Sequence, residues 1–241
     1  MMETRYYNLP TILNYTLYSN GPMSMLGGCE GLAWIKSKYT SADDDRPDLG
    51  VTFLSGTAAS ESGGILRENF GFSDEIWDSY FKPLLNTDMW QFHLWLLRPL
   101  SRGTILLSST DPYAPPLIDP KYFSEKSDMD TIIESVKFAL ALSKTTAFQK
   151  LGTKFYDKIF PGCEGYTPWT DDYWRCFVRY TSSTGYHPAG TCKMGPSSDT
   201  KAVVDHQLKV HGIKGLRVAD CSIMPVIVSG NTNAPAVRLQ F

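Results

Sequence analysis

The chain of 241 residues has 19 glycines, yet no two of them stand two positions apart. GxG therefore occurs nowhere, and with it goes the GxGxxG turn that lays a dinucleotide pyrophosphate on a helix N-terminus. No Gly-Lys pair exists, which excludes a P-loop, and neither GxSxG nor HExxH is present. A self-contained dinucleotide-binding unit, a nucleophile-elbow hydrolase and a zincin are all disfavoured. No apolar run approaches the ~18 residues that a membrane-spanning helix needs. A charge excess is lacking too: 23 basic residues face 25 acidic ones, a net charge of −2 without a basic block. Nothing in that balance makes an electrostatic track for nucleic acid. The first residues, Met-Met-Glu-Thr-Arg-Tyr-Tyr-Asn, show no basic stretch followed by an apolar one, so no signal peptide is read there. Cysteine is scarce, five residues with no CxxC. Cys163 and Cys176 bracket a Trp- and Tyr-rich stretch, where a disulfide and a pair of buried thiols are equally good readings.

What remains is an ordinary globular composition, 42% hydrophobic, 20% charged and 13% aromatic. That excludes disorder as the main state, and a chain of this size can bury roughly 70% of its unfolded surface. Ser127-Asp128-Met129-Asp130 has the form of a capping box, and Ile132, Val136, Ala139 and Leu140 follow at helical spacing, which predicts a helix over 128–143. Thr170 before Asp171 and Asp172 predicts a second helix, with Trp174, Phe177 and Val178 on its apolar face. Residues 90–97 and 104–107 read as a hairpin or two neighbouring strands, and Pro112, Pro115, Pro116 and Pro120 keep the following stretch extended and loop-like. Residues 208–210 and 216–218 read as two further short strands. Asn and Thr ahead of Pro235 open a short last helix.

Several chemically suggestive residues have bland readings. Asp43, Asp44 and Asp45 beside Arg46 are read as a solvated loop rather than a cation site. His93, inside a strand, is read as packed or at the surface. His206 and His211 are read as surface residues, because a strand would set residues five apart on opposite faces and so deny Cys192 a zinc-ligand pair. No metal is expected.

Chemistry concentrates in Gly185-Tyr186-His187-Pro188-Ala189-Gly190-Thr191-Cys192-Lys193-Met194-Gly195. Pro188 pushes His187 towards extended backbone, and the flanking glycines allow tight turns. A rigid loop that projects an imidazole suits a general base. Farther on, residues 216–225 read as a strand ending in Asp220 and small residues, the kind of strand end where α/β folds bind cofactors. His187-Pro-Ala-Gly-Thr-Cys-Lys-Met-Gly, then Val204-Asp205, then residues 210–220, Ser222-Ile223-Met224-Pro225 and Gly230-Asn231-Thr232-Asn233-Ala234-Pro235 together resemble the C-terminal signature of the glucose–methanol–choline oxidoreductases, in particular their insect glucose-dehydrogenase-like branch. Gly21-Pro22, Leu26-Gly27-Gly28 and Pro99-Leu100-Ser101-Arg102-Gly103 are similar to that family's substrate domain.

The resemblance implies an FAD enzyme that oxidises the CH–OH group of a small alcohol or sugar. It puts His187 on the family's catalytic histidine and Asn231 on its second His or Asn. It further implies that Asp220 and Cys221 lie beside the flavin, and that the backbone N–H groups of Asn231, Thr232 and Asn233 face the reduced flavin. Cys221 departs mildly from the small residue usual there. The implied fold is α+β: a mostly antiparallel sheet with helices in a substrate-binding domain over residues 1–180, then a catalytic loop and the last strand and helix start of an incomplete FAD-binding domain over 181–241. A Rossmann half supplied from elsewhere is the implied partner, and an apolar surface is expected near residues 216–228. The alternative is a catalytically inactive fragment or binding module that keeps the substrate-domain fold.

Overall fold

The computed structural model describes residues 8–24, 28–60 and 65–239. The expectations placed on residues 1–7, on Leu26-Gly27 and on the last two residues lie outside that set. The chain is α+β and forms two compact units that alternate along the sequence. One comprises Met1–Ile35, Val51–Trp95 and Ile132–Ser183; the other comprises Lys36–Gly50, Leu96–Thr131 and Thr184–Phe241. Compactness therefore does not follow a single cut near residue 180.

The first unit opens with helix α1, Leu9–Tyr18, capped by the Asn8 carboxamide oxygen, which accepts from the Thr11 N–H at 3.0 Å. A three-stranded sheet follows, ordered β1 (Cys29–Ile35), β2 (Leu49–Leu54) and β3 (Gln91–Leu96). The middle strand β2 is buried at four successive residues rather than every other one, as a strand covered on both faces should be. Its Thr52 hydroxyl accepts from the Trp95 indole at 2.8 Å. After helix α2, Ile65–Phe70, the irregular helical stretch 74–84 brings Trp77 against Ala58 and Ala59.

Helix α3 runs Lys126–Ser143. Met129, Ile132, Ile133 and Val136 are buried at i, i+3, i+4 and i+7, which is the periodicity expected of its apolar face. Its start corrects the capping-box reading. Ser127 is already inside the helix, and Asp130 pairs with Lys126 one turn back. Helix α4, Asp171–Thr181, matches the sequence reading: the Thr170 hydroxyl accepts from the Tyr173 N–H at 3.4 Å, and Trp174 and Val178 are buried. A disulfide joins Cys163 to Cys176 on this helix. Phe160, fully buried, donates its N–H to the Tyr173 hydroxyl at 3.2 Å and packs on Tyr80 and Phe177.

In the second unit β4 (Thr104–Leu106) pairs antiparallel with β5 (Leu117–Asp119). The sequence pairs β4 with the strand over 90–97 and reads the proline-rich stretch as extended and loop-like; the stretch is extended at β5, and β5 is the partner of β4. Pro115 and Pro116 precede it and Pro120 follows it, so every residue in the ladder keeps its N–H. Gly103 makes the approach possible, since a Cβ there would stand 2.2 Å from the Asp119 carbonyl oxygen.

Much of the rest of this unit is irregular and held by side chains. The buried Asp48 carboxylate accepts from the Ser37 N–H at 2.7 Å and from its hydroxyl at 2.6 Å. Asp128, 3% exposed, accepts from the Leu100 N–H at 2.9 Å and the Ser101 N–H at 2.8 Å. Residues 208–210 and 216–218 form only isolated bridges, Val204 with Val210 and Lys209 with Arg217, not the two strands expected. Gly212 and Gly215 take positive φ in the five residues between them. The apolar surface expected near 216–228 is divided: Leu216 and Val226 are exposed, whereas Ile223 and Met224 are buried.

Candidate active site

The loop bearing His187 is built from the top down by local restraints. The Thr184 hydroxyl accepts from the Tyr186 N–H at 3.0 Å, and Tyr186 sits in the left-handed region at φ 59°. Such a backbone is uncommon for a bulky residue and persists only where its surroundings hold it. Below the histidine the chain is zipped to the segment after Asp220. Gly190 donates to the Cys221 carbonyl at 3.4 Å, Cys192 to the Ser222 carbonyl at 2.9 Å and Met194 to the Ile223 carbonyl at 2.8 Å. Gly190 takes φ 88°, and a Cβ there would meet the Met224 carbonyl at 3.2 Å, so a side chain would have neither the conformation nor the room.

The segment carrying Asn231 is held in turn by Arg98, whose guanidinium donates to the Ser229 hydroxyl and to the Pro47 carbonyl, each at 3.1 Å. His187 and Asn231 then meet directly. The amide nitrogen of Asn231 lies 2.9 Å from Nε2 of His187, and the Thr232 hydroxyl lies 2.9 Å from its Nδ1. Asn231 is exposed, His187 is half-buried and Thr232 is buried. A half-open imidazole next to an exposed amide can accept a proton at one atom while a donor steadies the oxygen that loses it.

The other expected site residues fall around this pair in different ways. Asp220 is exposed but already engaged: it caps the turn Cys221–Ile223 by accepting from the Ser222 N–H at 2.7 Å. The Ser222 hydroxyl and N–H hold the Asp220 carboxyl below the usual carboxylate range. Cys221 is half-buried with its Sγ 3.9 Å from the Thr232 carbonyl oxygen, which ties it to the pair at the width of a sulfur contact. Asn233 is exposed and opens helix α5, Asn233–Arg238. Thr232 departs from the expected cap: it makes no side-chain capping bond to α5, because its hydroxyl is spent on His187. The sequence points to Thr232 as a cap and a backbone donor, not as a partner of His187, and it does not point to Arg98. Nothing in the sequence around Arg98 signals that its partner lies 131 residues away.

The residues given bland readings are placed as follows. Asp44 forms a two-pronged pair with Arg46, at 2.8 Å for each contact. His93 packs against Phe70 and Trp95 beside Gln91. His206 is exposed, but His211 is half-buried with Nε2 3.1 Å from the Gly195 carbonyl oxygen, which corrects its surface reading. Among the described residues no group of three or more His, Cys, Asp and Glu side chains could hold a metal ion.

Comparison with known proteins bears on this geometry. Residues 99–239 match the family model of GMC oxidoreductase, a stretch that contains both His187 and Asn231. Glucose dehydrogenase [FAD, quinone] of Drosophila melanogaster is 38% identical over 240 residues, covering 98% of this chain and 36% of the relative. Ecdysone oxidase of Spodoptera littoralis is 36% identical over 182 residues, covering 76% of this chain and 29% of the relative. Among solved structures a formate oxidase of Aspergillus oryzae superposes with a TM-score of 0.71 at 23% identity, over 95% of this chain and 39% of that one, a likeness of fold. The chain thus spans about a third of the length of the curated relatives it matches. With the family model met over more than half of its residues and a relative 38% identical along nearly all of them, the chain belongs to the GMC oxidoreductase family.

Proposed function

We propose that this chain is the substrate-side and catalytic portion of an FAD-dependent oxidoreductase that takes a proton and a hydride from the CH–OH group of a small alcohol or sugar. The observation that carries the reading is His187 set between Asn231 and Thr232, with one ring nitrogen turned to an exposed amide. In this reading residues 1–180 shape the substrate side, and residues 181–241 supply the catalytic loop and one edge of the flavin site.

The donor set fits a flavin edge. Asn231 and Asn233 are exposed amides, and nothing stands within 4 Å of a Cβ built on Gly230, so the segment between Ser229 and α5 can lie close against a flat ring. Asp220, Cys221, Asn231, Thr232 and Asn233 are the residues assigned to that edge. The pyrophosphate needs a glycine-rich turn that these 241 residues do not contain, and the reading assigns it to a Rossmann half outside them. When bound, FAD supplies the hydride acceptor.

The chain's own residues do the rest. The substrate hydroxyl enters between Asn231 and His187 and replaces their mutual bond. Nε2 of His187 then accepts the hydroxyl proton, and the Asn231 N–H donates to the oxygen as negative charge builds on it. The zipper over 190–194 fixes the backbone below the imidazole, and Thr232 at Nδ1 holds the ring itself.

The test is flavin reduction under exclusion of oxygen, followed by its visible absorbance in the flavin-loaded protein with glucose and a panel of primary alcohols. His187→Ala is expected to slow reduction by about 10²–10⁴-fold, the range for loss of a general base, and Asn231→Ala by about 10²-fold as for loss of one donor to a developing oxyanion. Equal rates in the wild type and His187→Ala would overturn the reading.

A further inference from the structure

Thr232 occupies a position where threonine normally has another task. It is the N-cap of α5, where a hydroxyl ordinarily accepts from an N–H of the first turn. Here its backbone is helical, at φ −84° and ψ −3°, and it makes no capping bond. The third residue of the helix is Pro235, which has no N–H to offer. The side chain is nevertheless 8% exposed, and a buried hydroxyl needs a partner. That partner is Nδ1 of His187 at 2.9 Å.

The opposite side of the ring sets the direction of the bond. The atom 2.9 Å from Nε2 is the amide nitrogen of Asn231, which can only donate. Nε2 is therefore an acceptor, the single proton of the neutral ring sits on Nδ1, and Nδ1–H donates to the Thr232 oxygen. We infer that Thr232 is a positioning residue that holds His187 in the Nδ1–H tautomer, with the lone pair of Nε2 directed at the site where a substrate hydroxyl arrives. This rests on the reading of His187 as the proton acceptor and deepens it. The other tautomer would present an N–H to the substrate and could take no proton there. When the transfer occurs, the substrate O–H bond breaks and an Nε2–H bond forms. The ring keeps its Nδ1–H, and the bond to Thr232 becomes charge-assisted.

Imidazole nitrogen shifts of the histidine-labelled chain, measured where the rings are neutral, report the tautomer without any turnover. The four histidines are separated by comparison with His187→Gln. Wild type is expected to show a pyridine-type Nε2 and a pyrrole-type Nδ1 at His187. Thr232→Val keeps the shape and removes the hydroxyl; the ratio of Nδ1–H to Nε2–H should fall by about fivefold, the effect of losing one ordinary hydrogen bond. Thr232→Ser should restore it. Backbone amide spectra of the three proteins establish that each is folded, and the wild-type tautomer alone decides the inference if the valine variant is not. An Nε2–H ring in the wild type would overturn the inference, with Asn231 then presenting its carbonyl oxygen. So would a ratio that Thr232→Val leaves unchanged. An Nδ1–H ring that responds to Thr232, in a protein whose flavin reduction ignores His187, would uphold the positioning and sink the catalytic reading alone.

Discussion

Asp128 lies where a capping box would make it a bystander, and the structure makes it an anchor. The carboxylate is 3% exposed and receives the Leu100 N–H, at 2.9 and 3.1 Å to its two oxygens, and the Ser101 N–H at 2.8 Å. Hydrogen bonds to charged groups contribute roughly 1.5–3 kcal/mol each. Leu100 is 61% exposed, so water can take over part of its share when the carboxylate is removed. Asp128→Ala is therefore expected to cost about 3 kcal/mol, the lower end of the sum for two donors. Asp128→Asn keeps one acceptor oxygen and should cost about half of that. Ser127→Ala and Asp130→Ala should each cost less than about 0.5 kcal/mol, because Ser127 is exposed and Asp130 pairs with a Lys126 side chain that is 82% exposed. Denaturant midpoints at constant slope measure all four, and hydrogen exchange at the Leu100 and Ser101 amides should accelerate only in the Asp128 variants. A cost for Asp128→Ala below about 1 kcal/mol, or one matched by Ser127→Ala or Asp130→Ala, would refute the anchoring argument and restore the capping box.

Two further outcomes follow from the same coordinates. The Cys163–Cys176 bond spans 13 residues, for which loop closure gives about 3 kcal/mol, so the Cys163→Ser/Cys176→Ser double variant should lose about that much in denaturant unfolding, and a loss under about 1 kcal/mol would contradict the bond. Burial between Phe70 and Trp95 pushes the His93 imidazole below its ordinary range. The unfolded chain then takes up that proton first, so the His93 contribution is whole above about pH 6.5 and declines as the pH falls towards the lowered folded value. His93→Gln should flatten stability between about pH 7 and 5, and an unchanged slope would show that the ring is not the titrating group.

What could be read from the sequence was what local chemistry decides. Thr170 with Asp171 and Asp172 announced α4, and the spacing of Ile132 and Val136 announced α3, because caps and a 3.6-residue period act within a few residues. A long motif resemblance points to His187 and Asn231 as a pair, and the two lie 2.9 Å apart across 44 residues. The partners that stayed hidden are those that pairing across the chain decides. Nothing near Ile105 tells it to face Ile118 rather than the strand before it, since both candidates are equally apolar. Cys163 and Cys176 left two readings open because spacing permits a bond without requiring one. Thr232 was mistaken for a cap because its true partner replaces the one its local sequence suggests.

The alternation of the two units along the chain has a consequence during synthesis. The second unit draws on Lys36–Gly50, Leu96–Thr131 and Thr184–Phe241, and the bond from Arg98 to Ser229 closes 131 residues. On a ribosome the first two of those segments emerge long before the third, with Ile105, Leu106 and Ile118 of the β4–β5 ribbon more than half exposed even in the finished fold. Contacts of such sequence separation form late, and apolar ribbons left waiting invite association between nascent chains. The imidazole at His187 thus acquires its setting only once Asn231 and Thr232 have emerged, and the ribbon stays open to association until Ser229 is available to Arg98.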